Sequence, residues 1–345
     1  MTTLVNHLDR LAIIQPDFSI WCGKVKLDDP DLKLGIGGEI PPKELVELGS
    51  KYVINKTHLR PFNRLKTKVR RLCLAHGMSF MSGFAVPLDK IDQISIELDE
   101  VAIEMNDLKA HFFTNYDQWI KAWEQKNGKY AAIIRSGVLS KAVVEKRIGF
   151  DFQVFQVNPV NEVQSLKING MASGLSDELM DEIVLEANNF FHKTLKGKES
   201  CQANTQKTLK RLRDKVDGLS FLDGRFLAIV RLLDKTLHGY ANVGKTIRGE
   251  QFYRVMSATL ILSSKEKIQE YADGIVDVDS MANSFILGNR VDDLISDSID
   301  ANVSIDSVKT EQVEPASPVF ELPDEDDIDQ FFQKHGNNSS NGMFF

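Results

Sequence analysis

A chain of 345 residues with 42 % apolar content and 20 phenylalanines can build a sizeable core, as one large or two ordinary domains. Its three cysteines, at 22, 73 and 201, form no CxxC pair, which argues against a disulfide framework or a zinc site and fits a reducing cytoplasm. The net charge of −7 is uneven: residues 291–345 hold 13 Asp/Glu and 2 Lys/Arg, a net −11, which leaves residues 1–290 at +4.

The first 25 residues lack a basic start followed by an apolar stretch, so no signal peptide is expected. No window nears 18 consecutive apolar residues, so no membrane span is expected either. FSIWCGKVKL at 18–27 has the aromatic and β-branched content of a strand. The glycine- and proline-rich stretch after it reads as turns. From Leu59 the apolar positions 59, 62, 65, 69 and 72 predict a helix. Its other face carries Arg60, Arg64, Lys68 and Arg71 at one-turn spacing. Such a stripe is a solvated face, a phosphate-binding row, or a dock for the acidic tail.

The most sustained pattern runs from Leu88 to Trp123. Leu88, Ile91, Ile94, Leu98, Val101, Met105, Leu108, Phe112, Tyr116, Trp119 and Trp123 recur at steps of three and four. This predicts a heptad-like helix of ~50 Å, at 1.5 Å per residue, whose aromatic end suits an intramolecular bundle. KNGKY at 126–130 breaks it, and Ala131 to Lys146 is expected to continue helical. In RIGFDFQVFQV, Ile148, Phe150, Phe152 and Val154 alternate, which predicts a strand able to pair with the one at 18–27.

The helical period then returns. Ser176 is the expected N-cap of a helix that stops at Gly197, and helices follow at 202–217, 220–237 and 250–271, with a weaker stretch at 281–299. The expected fold is mainly α, of α+β type. It joins a long helix and an antiparallel bundle to a two- or three-stranded β element. Residues 1–160 and 161–299 form two regions that can pack as one domain, and 300–345 is an expected disordered acidic tail.

Two motifs invite a functional reading. GYANVGKT at 239–246 places Gly239, Gly244, Lys245 and Thr246 at phosphate-loop spacing. Such a loop must leave a buried strand and enter a helix, yet Leu222, Phe226, Ile229, Leu233 and Leu237 upstream have helical spacing. We therefore read a turn between two helices with Lys245 in solvent, and a nucleotide-hydrolysing enzyme is the disfavoured alternative. In the tail, Glu325, Ile328, Phe331 and Phe332 resemble the peptide that docks DNA sliding clamps, with Glu325 where that motif has Gln. His111 and His192, beside phenylalanines, read as ordinary bundle residues. No cofactor, metal or catalytic constellation is expected.

The order FSIWCGKVKL, DLKLG, ELVELGSKYVIN, LRPFNRLKTKVRRLCLAHGMSFMSGFAVP, FFTNYDQWIKAW and KRIGFDFQVFQV resembles the bacterial and phage family known as domain of unknown function 3150, over about residues 15–290. The resemblance implies a mobile-element setting beside MoxR-type AAA+ ATPases and von Willebrand factor A proteins. It supplies no catalytic residues. The expected function is thus a non-enzymatic helical adaptor acting with those partners. The alternative is a DNA-transaction accessory protein that uses the basic helix and a clamp-like partner.

Overall fold

The computed structural model describes residues 7–27, 45–47, 49–158, 160–242 and 244–286. Strands β1 (Leu11–Ser19) and β2 (Lys24–Lys26) open the fold, followed by β3 (Val46–Glu47), β4 (Ser50–Tyr52) and helix α1 (Arg60–His76). A hairpin, β5 (Met78–Phe80) and β6 (Gly83–Pro87), leads into the long helix α2 (Ile91–Lys126). Next come α3 (Ala131–Gly137), α4 (Lys141–Glu145), β7 (Gly149–Phe155) and α5 (Glu162–Phe190). The remainder is β8 (Ser200–Gln202), α6 (Gln206–Gly218), α7 (Gly224–His238), β9 (Thr246–Arg248), α8 (Gly249–Leu262), α9 (Lys265–Ala272) and α10 (Val278–Ile286).

The protein is mainly helical, with more β structure than its periodicity suggests. The largest sheet is four-stranded and antiparallel, in the order β5-β6-β1-β7. A three-stranded sheet (β2-β4-β3) and a two-stranded one (β8-β9) accompany it. The strand expected at 18–27 is a correction. β1 starts at Leu11 and ends at Ser19, and Lys24–Lys26 belongs to a different sheet. Pairing of β7 with β1 holds, with Phe18 opposite Phe150. Along β1, β6 reaches only Leu11–Ile14, so Pro16 falls where β1 has one neighbour, as its missing N–H requires.

Side chains alternate across this sheet and feed two cores. On one face Ile14 and Val86 pack with Phe62, Leu65, Val69 and Cys73 of α1 and with Ile94, Leu98, Val101, Met105, Phe112 and Tyr116 of α2. On the other face Leu11, Ile13, Met78, Phe80 and Ala85 pack with the helices from α5 onward. The sheet is therefore shared, and the described residues on both sides of residue 160 belong to one compact unit. Residues 296–345, including Glu325, Ile328, Phe331 and Phe332 of the tail motif, lie outside the described residues.

α1 and α2 run antiparallel. Phe62 meets Phe112 at 5.7 Å between ring centroids, while further along α1 Lys68 meets Glu104. The aromatic end of α2 is anchored to the chain around it. Tyr116 Oη donates to the carbonyl of Leu139 at 2.9 Å, and Trp123 Nε1 donates to the carbonyl of Tyr52 at 3.1 Å. Those two aromatics are core residues with satisfied polar ends.

Other boundaries differ from the periodicity. The single helix expected over 131–146 is two short helices with a break after Gly137. α5 begins at Glu162, where Asn161 Oδ1 accepts from the Gln164 amide. Ser176 is thus inside the helix and not at its cap; its hydroxyl donates to Asp223. The helix expected over 250–271 is divided by Ser264, whose side chain caps α9. Gly197 follows α5 and a π-turn, at a φ of 68°.

Candidate nucleic-acid interface

α1 forms because Phe62, Leu65, Val69 and Cys73 recur at steps of three and four and are buried, each apolar side chain contributing about 1.5–3 kcal/mol. Asn55 Oδ1 accepts from the Thr57 amide and starts a 3₁₀ turn, Lys56–Leu59, that runs directly into the helix. Pro61 occupies the first turn, where a missing N–H costs nothing.

The outer face of α1 is cationic. Arg60, Arg64, Lys66, Lys68, Arg70 and Arg71 are exposed, and the helix holds no Asp or Glu. Lys68 reaches Glu104 on α2 at 2.7 Å, both side chains about half exposed, a pair worth little in water. Among the described residues Arg60, Arg64 and Arg71 have no ion-pair partner. Neither first turn contains a carboxylate, although Lys56, Arg60 and Arg64 crowd the positive end of the helix dipole. Cations there cost about 0.3–1 kcal/mol each. Among the described residues no carboxylate pairs with Arg60 or Arg64, so an anion brought to this end meets both the dipole and the guanidinium groups.

A pocket of about 200 Å³ opens beside the same end of α1. Thr57, His58, Pro61 and Phe62 form one wall, and Leu108, His111, Phe112 and Trp119 of α2 form the other. Phe62 and Phe112 are fully buried beneath it. The His58 imidazole lies flat on the Trp119 indole, with centroids 4.0 Å apart and planes 9° apart. His111 meets Trp119 edge-on at 5.8 Å. Burial lowers the pKa of His58, which keeps the stacked ring neutral at neutral pH.

Sequence periodicity assigned Trp119 to the core seam of α2. Ile120 fills that position instead, and Trp119 stands half-buried on the flank. His111 is likewise exposed on the pocket wall, not packed inside a bundle. A local stretch of sequence cannot reveal that His58 meets Trp119, because the two rings sit on different elements 61 positions apart. The one local signal was a Trp directly before an Ile within a three-four pattern.

The phosphate-loop spacing at 239–246 falls on a different geometry. The chain leaves α7, makes a 3₁₀ turn over Gly239–Asn242, and enters β9 at Thr246. Thr246 pairs with Gln202 of β8, and the Lys245 carbonyl accepts from the Ala203 amide at 2.9 Å. The Lys245 side chain is exposed. The expected direct turn between helices is corrected by the strand β9, which places Thr246 three residues ahead of α8. Gly239 is close-packed: a Cβ there would overlap the side chain of Gln251, whose Nε2 donates to the Thr236 carbonyl.

Among the described residues no group of three or more His, Cys, Asp or Glu converges to hold a metal, and no helix is long and apolar enough to cross a membrane. The sequence model of the family described as "Protein of unknown function (DUF3150)" matches residues 8–264. The chain belongs to the DUF3150 family. The matched span runs from before β1 to Ser264 at the cap of α9, so it covers the four-stranded sheet, α1, α2 and the pocket between them. No curated protein and no solved structure matches the chain.

Proposed function

We propose that this DUF3150 protein is an accessory protein that holds a nucleic-acid backbone on the cationic face of α1. The observation that carries this reading is the uncompensated charge at the N-terminal end of α1. Arg60, Arg64, Lys68 and Arg71 follow one line of the helix at steps of one turn, ~6 Å at 1.5 Å per residue. A phosphodiester chain can follow that spacing, and only one of the four has a carboxylate partner among the described residues. The test is fluorescence anisotropy with labelled DNA over a salt series. Four phosphate contacts give a slope of log K against log salt of about −3, and reversing all four residues to Glu abolishes binding. Salt-independent binding, or binding that survives the reversal, would overturn the reading.

A second reading is favoured by one feature of α2. Ile96 and Ile103, seven residues apart on its outer face, are each 63 % exposed. Heptad-spaced apolar side chains on a long helix suit a partner helix. In this reading the protein is a non-enzymatic adaptor for an AAA+ ATPase and a von Willebrand factor A protein. Co-purification from the host that is lost on Ile96→Glu with Ile103→Glu, and kept in the basic-face variant, supports it. The two readings are compatible, since the residues lie on different helices.

A further inference from the structure

We propose that the pocket between α1 and α2 is a nucleobase slot, so that the protein binds single-stranded nucleic acid in preference to duplex. This rests on the cationic reading of α1 and deepens it.

The slot and the cationic row are parts of one strip. Pro61 lines the pocket, Arg60 precedes it in the chain, and Arg64 stands one turn further on. A strand whose phosphates follow Arg60 and Arg64 therefore has a base within reach of the slot. The lining suits a flat ring: the His58 imidazole and the Trp119 indole, stacked on each other at 4.0 Å, form one aromatic platform against which a base can pack, and Pro61 and Leu108 are apolar. The lining also offers the Thr57 hydroxyl and the exposed His111 imidazole, which can meet the hydrogen-bonding edge of a base. Aromatic platforms beside a basic groove are how proteins hold unpaired strands, because every base has a π face. In a duplex that face is covered by neighbouring base pairs, so a slot cut between two helices cannot reach it.

Charge decides between this ligand and other flat or aromatic-loving ones. Aromatic pockets also hold quaternary ammonium groups, but those need a negative surround. On the α1 wall the charged neighbours of Pro61 in sequence are Arg60 and Arg64, which repel a cationic ligand and attract a phosphate; on the α2 wall Asp107 adjoins Leu108, and Glu104 is paired with Lys68. An acidic peptide with an aromatic side chain satisfies the charge but not the repeated spacing of the row.

The experiment uses the full chain with three probes: a dodecamer of thymidylate, a blunt twelve-base-pair duplex, and an acidic peptide of alternating Asp and Phe. Trp21 and Trp123 are buried, so quenching of tryptophan emission on adding the dodecamer reports Trp119. The variants are Trp119→Leu and, because His111 is exposed and its loss does not threaten the core, His111→Ala. We expect quenching by the dodecamer, a loss of about ten- to hundredfold in its affinity in Trp119→Leu, a smaller loss in His111→Ala, and duplex binding within about twofold of wild type. Equal loss on both nucleic acids, or no loss on either, overturns the slot while leaving the cationic face intact. Tighter binding and stronger quenching by the peptide also overturn it. If the wild-type protein binds neither nucleic acid, the cationic reading itself falls.

Discussion

Lys215 Nζ lies 2.6 Å from Glu182 Oε1, and this pair ties α6 to α5 across the larger core. The lysine side chain is 4 % exposed and the glutamate 32 %. A buried ammonium without its partner is costly, whereas an apolar side chain of similar length in its place is not. Glu182→Leu should therefore destabilise the protein by about 3 kcal/mol, while Lys215→Met should be near neutral or stabilising. Urea denaturation of the two variants checks the asymmetry. Equal losses would mean that the pair itself stabilises the fold, not merely the lysine's need for a partner.

Acidification should weaken the fold through two histidines. Burial lowers the pKa of His58 and of His76, with Glu97 and Asp214 partly opposing the shift at His76. In the unfolded chain both titrate near 6.5, so between that value and their lower folded values the unfolded state binds more protons. Stability is thus full above about pH 7 and falls as the pH drops through 6.5. Denaturation midpoints at pH 7.5 and 5.5 should differ more in wild type than in a His58→Gln, His76→Gln double variant. A pH response unchanged in the double variant would assign it to other groups.

The three cysteines should separate by reactivity. Cys22 is exposed. Burial pushes the Cys73 thiol up to about 12 and also raises Cys201, so neither forms thiolate near neutrality. A thiol assay on the native protein should count one fast group, and the same assay in denaturant should count three. Rapid modification of two or more native thiols would show that a core opens on the timescale of the assay.

Two glycines of the GYANVGKT stretch should respond in opposite ways. Gly239→Ala drives a Cβ into the carboxamide at the end of the Gln251 side chain and should cost about 1 kcal/mol, the hydrogen bond to the Thr236 carbonyl that the carboxamide must give up. A Cβ on Gly244 meets no atom within 4 Å, and Gly244→Ala should melt close to wild type. A phosphate-cradling loop reverses this order of importance for nucleotide binding, since its glycines admit the phosphates. Magnesium-dependent nucleotide binding that disappears in Gly244→Ala and Lys245→Ala would reinstate the enzyme reading.

Much of the fold was legible because its signals are local. The buried positions of α1 and most of those of α2 follow from steps of three and four, and β7 from its alternation of Phe150, Phe152 and Val154, with Ile148 just ahead of the strand. β1 was misplaced for a physical reason. Leu11, Ala12, Ile13 and Ile14 are all buried, since the sheet is covered on both faces, and a strand covered on both faces shows no alternation. The start of α5 was missed because a distant serine looked like a cap, although Asn161 does that work at the true start. That the two regions can pack as one domain was expected, but not the means: strands from the first third of the chain pack against helices from the last.

The sequence alone determined that α1 is a cationic helix without carboxylates, because composition and a 3.6-residue period are properties of neighbouring residues. Only the tertiary structure decided that this face lies beside an aromatic pocket. His58 and Trp119 are brought together by the antiparallel crossing of α1 and α2, which the β5-β6 hairpin enforces. No local pattern encodes that crossing, since its free energy comes from burying two apolar stripes against each other and against one face of the sheet.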